Sequence, residues 1–136
     1  MKITEDQLTK RVEKWRKRIE PLGIGHFTIT GLHIVDETPG GPDAEASAYI
    51  SHNYDNVRMW FAAPFLAEAT SQQVDETILH ELVHIGMRDV DRATDSVERY
   101  MPVATFEDFA DRLLHEKEKF VDRVAKTIYS TYHAKT

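Results

Sequence analysis

The sequence predicts a single α+β domain: an N-terminal helix, a small antiparallel sheet of three strands, then three helices. Two changes of hydrophobic period carry that expectation. Apolar residues recur every three to four positions up to Ile19, every second position between Gly25 and Phe61, and every three to four again from Val74 onward. The 136 residues, 41% of them hydrophobic, suffice for one core without a disulfide or structural metal.

In the first segment Leu8, Val12, Trp15 and Ile19 fall on one face of a helix. Thr4 with Gln7 three residues later forms a capping-box pattern, and Pro21 with Gly23 stops the helix. Phe27, Ile29 and Gly31 begin the period of two, and Leu32, Ile34 and Val35 extend it. Residues 36–44, DETPGGPDA, are dense in turn formers and predict a loop. Strands are expected over Glu45–Ile50 and Val57–Phe61, joined as a hairpin by SHNYDN, with Pro64 ending the run. Thr70 with Gln73 is a second capping box, and Val74, Ile78, Leu82 and Ile85 follow at helical spacing. A short helix over Ala93–Tyr100 closes at Pro102. Thr105 with Asp108 opens the last, where Phe106, Phe109, Leu113, Phe120, Val124 and Ile128 keep near-helical spacing.

Composition removes several classes of function. With no cysteine, thiolate metal sites, iron–sulfur clusters and cysteine nucleophiles are excluded, and a reducing compartment fits. No apolar run reaches the roughly 18–20 residues a membrane span needs. The opening MKITEDQLTKR lacks a signal-peptide layout, so a cytoplasmic location is expected. The net charge of −6 is uneven: residues 1–20 carry seven Lys/Arg against four Asp/Glu, and residues 21–76 carry one against eight. Only the first helix is basic, which disfavours nucleic acid as a partner.

The chemistry lies in His80-Glu81-Leu82-Val83-His84, an HExxH pattern inside the best-supported helix. Side chains four apart stand one above the other on a helix, so His80 and His84 can reach one metal ion. Glu81 can accept a proton from water activated there. Imidazole nitrogen with carboxylate oxygen argues for zinc.

The segment TILHELVHIG, residues 77–86, resembles the active-site helix of zincin metallopeptidases. The chain as a whole is similar to small metallopeptidase-like proteins common in bacteriophages and prophages. The specific match spans residues 77–98, and the remainder agrees in the order of elements. The resemblance implies a zinc site, a minimal zincin-like fold, a peptide or protein substrate and, for a phage protein, the host cytoplasm.

A catalytic zinc usually takes three protein ligands. The metzincin extension is absent, since Met87 and Val90 occupy its glycine and histidine slots. A carboxylate from a following helix, as in gluzincins, leaves Glu98 as the expected third ligand. Asp95, Asp91 and His115 compete with it. His52 or Tyr54, between the two later strands, could reach a reacting carbonyl, and the strand Val57–Phe61 could offer its edge to an extended peptide. A non-catalytic interaction protein with a structural zinc is the alternative function.

Overall fold

A computed structural model describes residues 2–24, 26–50 and 56–134. Helix α1 (Glu5–Ile19) begins on the Thr4–Gln7 capping box and buries Leu8, Val12, Trp15 and Ile19. It runs into a 3₁₀ turn, Glu20–Leu22, closed by Gly23 at φ +82°, a left-handed conformation that glycine adopts without strain.

Three strands follow: β1 (Thr28–Val35), β2 (Ala46–Ile50) and β3 (Asn56–Ala62), in the spatial order β1-β3-β2. The β2–β3 pair is antiparallel, as the hairpin reading expects. The β1–β3 pair is parallel, so the sheet is mixed rather than wholly antiparallel. The physical reason lies in the loop after β1. It is long enough to carry the chain past one strand position before β2 begins, which leaves the middle slot open. Strand β3 fills that slot because it has the most apolar inner face: Val57, Met59 and Phe61 are each fully buried.

Pro64, which ends β3, also opens a short helix α2 (Ala63–Glu68), where its missing N–H costs nothing. Helix α3 (Ser71–Gly86) starts on the Thr70–Gln73 capping box. It lies between the sheet and the other helices and buries Val74, Ile78, Leu79, Leu82, Val83 and Ile85. Its start is tied to α1. Arg11 donates to the Asp75 carboxylate at 2.7 Å and to the Ser71 carbonyl at 2.6 Å, and Trp15 Nε1 donates to Asp75 at 2.9 Å. Its end approaches Ile24 so closely that a Cβ on Gly86 would stand 2.8 Å from Ile24 Cβ.

The chain after α3 departs from expectation. Helix α4 (Arg88–Val97) starts one residue beyond α3, after Met87, and passes into a 3₁₀ turn over Glu98–Tyr100. Residues 88–92, ahead of the helix expected from Ala93, are therefore already helical. Helix α5 (Val103–Ala134) begins two residues before Thr105 and runs for 32 residues, packing on α3. Its buried residues are Val121, Ala125 and Ile128, whereas Phe120 is 50% exposed. No helix among the described residues is long and apolar enough to cross a membrane.

Candidate metal centre

On α3 the buried stripe leaves one flank facing outward, and Gln73, Thr77, His80 and His84 follow that flank at spacings of four, three and four. The two histidines meet as the four-residue spacing requires: their Nε2 atoms lie 3.2 Å apart. Facing them across the α3–α5 seam is Glu118. One of its carboxylate oxygens is 2.9 Å from His84 Nε2 and the other 3.3 Å from His80 Nε2. Among the described residues, His80, His84 and Glu118 form the group able to hold a metal ion.

The donor set and its spacing both fit zinc. Ligand bonds of 2.0–2.1 Å at tetrahedral angles put neighbouring ligand atoms about 3.3 Å apart; the two imidazole nitrogens stand at 3.2 Å, and one ligand atom from each of the three residues lies within 4.8 Å of the others. The imidazoles stand 21–25% exposed and the carboxylate 47%, so the point where the three converge is reachable from solvent. Burial lowers the His84 pKa first of all; His80 and Lys117 push the same way, while Glu118 opposes them. A lowered pKa keeps the ring neutral near pH 7, the form a metal binds.

Glu81 sits behind the triad and lines the same cleft. Burial, followed by repulsion from Glu118 and then Glu45, raises its pKa to about 8. A carboxyl group poised near neutrality can both take and return a proton, as general acid–base chemistry requires. Thr77 Oγ1 donates to Glu45 at 3.1 Å and fixes that neighbour at the mouth.

The cleft has a volume of about 630 Å³. One wall is α3 and the opposite wall is the start of β2, through Ala46, Ser47 and Ala48. Glu45, Glu76, Glu81, Glu118 and Asp122 also line it, with no lysine or arginine among them. Such a lining concentrates cations at the site. Strand β2 lies at the sheet's edge, so it, and not the central β3, borders the cleft.

His80, Glu81 and His84 thus come together as the motif predicts. Glu98 does not join them. Helix α4 starts directly after α3, and Glu98 is an exposed residue of the 3₁₀ turn outside the His80–His84–Glu118 group. Asp95 is exposed as well, Asp91 accepts from Lys117 Nζ at 2.7 Å, and His115 is exposed on α5. His52 and Tyr54 lie outside the described residues.

Sequence reasoning missed Glu118 by reading Glu116–Lys119 as a solvated face. The signal was available. Glu118 precedes Val121, Ala125 and Ile128 by three, seven and ten residues, so it continues the buried stripe of α5. A carboxylate on such a stripe, opposite an HExxH helix, calls for a partner.

Comparison with protein-family models, curated proteins and solved structures gives no match to this chain.

Proposed function

We propose that this protein is a zinc-dependent hydrolase, a metallopeptidase of the HExxH type working in the cytoplasm. The observation that carries this reading is the arrival of Glu118 beside His80 and His84, at ligand spacing, in a cleft that also holds Glu81.

His80, His84 and Glu118 would hold the ion. Bound there, zinc supplies Lewis acidity toward water and a substrate carbonyl. Glu81 takes a proton from the attacking water and delivers it to the leaving nitrogen as the C–N bond breaks. A dication held beside Glu81 would draw its carboxyl back toward the ionised form, the state that accepts the proton. One acid and one amine leave the site, and Glu81 ends in its starting state.

A peptide is the favoured substrate because of β2. Ala62 N–H donates to the Glu45 carbonyl at 2.9 Å. In an antiparallel ladder such bonded pairs alternate, so Ser47 and Tyr49 also address β3 while Ala46, Ala48 and Ile50 turn their backbone groups away from it. That row borders the cleft and suits pairing with an extended chain. A purely structural zinc would have four protein ligands in a closed site. The three described ligands here open onto a cleft, which favours the hydrolase.

The test is digestion of a mixed peptide library by zinc-loaded protein, read by mass spectrometry. Wild type is expected to cleave, and Glu81→Gln to retain zinc without cleaving. A wild-type protein that binds zinc and cleaves nothing, or a Glu81→Gln variant that cleaves as fast, would overturn the peptidase reading.

A further inference from the structure

Helix α5 is twice as long as the helix it packs against. Its 32 residues span about 48 Å and the 16 of α3 about 24 Å, so its first half projects as an arm. In proteins most helical stability comes from packing an amphipathic face rather than from propensity. Of the nine exposed large hydrophobic residues among those described, four lie on α5: Val103, Phe109, Leu114 and Phe120.

The arm carries an apolar seam distinct from the stripe that packs on α3. Phe106, Phe109, Leu113 and Phe120 recur at spacings of three, four and seven, with Phe109 40% and Phe120 50% exposed. At about 100° per residue, this seam lies roughly 100° around the helix from Val121 and Ala125. Its heptad spacing, 106–113–120, is the repeat that lets two helices stay in register along a shared seam.

We propose that the arm pairs with the arm of a second copy of this chain, antiparallel, about a two-fold axis beside Leu113. Charge selects this occupant. Arg112 and Glu116 lie only about 40° apart on the same flank of the seam as Phe109. Antiparallel pairing about Leu113 brings Arg112 of each copy within about 3 Å, measured along the helix axis, of Glu116 of the other, close enough for two symmetry-related ion pairs. Among the described residues these groups pair in exposed contacts, Arg112 with Asp108 at 3.3 Å and Glu116 with Lys119 at 3.4 Å, which are easily exchanged. An anionic membrane fits less well, because residues 103–120 carry five acids against three bases. The inference stands independently of the metal centre.

The absence of native cysteine gives a clean test. Leu113→Cys, beside the axis, is expected to form an intermolecular disulfide under mild oxidation, and Ser130→Cys, far along α5, is not. Sedimentation at roughly 100 µM is expected to give about twice the 15.7 kDa chain mass. Phe109→Glu should yield a monomer with unchanged far-ultraviolet circular dichroism. Arg112→Glu should weaken self-association by at least about tenfold, and the double variant Arg112→Glu, Glu116→Arg should restore it. A monomer at that concentration without the disulfide would overturn the proposal. So would equal cross-linking through Ser130→Cys, a dimer indifferent to Phe109→Glu and Arg112→Glu, or binding of anionic vesicles by a chain that stays monomeric.

Discussion

Glu81 should give the metal-free protein an unusual pH dependence. Its ordinary pKa is 4.5 and its folded value is about 8. Between those limits the folded state holds a proton that the unfolded chain has released, so stability contributed by Glu81 falls as pH rises. It is fully present below pH 4.5 and is lost on approaching pH 8. The span of about 3.5 pH units at 1.36 kcal/mol each sets an upper bound near 5 kcal/mol, a large part of the 5–15 kcal/mol that holds a domain together. His84 acts in the opposite sense: its lowered pKa costs stability as pH falls below about 6.5. Glu81→Gln removes the first effect and leaves the second. The assay is urea unfolding after chelation, at pH 5, 6, 7 and 8, for both proteins. The difference, wild type minus variant, is expected to become several kcal/mol less favourable between pH 5 and 8. Zinc should shrink that slope, since a nearby dication favours the carboxylate. A difference that stays flat across this range would refute a carboxyl group held protonated by its burial.

Asp75→Ala removes the shared acceptor of Arg11 and Trp15 and should cost about 2–4 kcal/mol in chemical unfolding, with Trp15 fluorescence reporting the exposed indole. Thr70→Ala, which dismantles the cap of α3, should cost about 1 kcal/mol, and Thr70→Asp should recover most of it.

How far the sequence discloses the molecule depends on whether a feature is local. The caps at Thr4 and Thr70, the stripe from Leu8 to Ile19 and the pairing of His80 with His84 all arise within one or two helical turns. Each follows from spacing alone. Strand order is not local. Nothing in residues 45–61 by themselves says that β1 will add to β3 in parallel; that depends on how far the preceding loop reaches and on which strand is apolar enough for the centre. The proposed third ligand is also non-local. Choosing Glu98 required the chain after α3 to carry it to the histidines, whereas α4 follows directly on Met87 and Glu98 is exposed in the 3₁₀ turn. Glu118 arrives from 34 positions beyond His84, through the packing of α5 on α3. Its place on the stripe with Val121 and Ala125 was readable, but the charged neighbours Glu116, Lys117 and Lys119 masked it.

Zinc binding with the proposed third ligand removed tests the central claim most directly. Zinc affinity, measured by chelator competition, should fall at least about tenfold in Glu118→Gln and remain at the wild-type value in Glu98→Gln. Elemental mass spectrometry of wild type should give one zinc per chain. Full affinity in Glu118→Gln, or loss in Glu98→Gln instead, would contradict the metal centre described here.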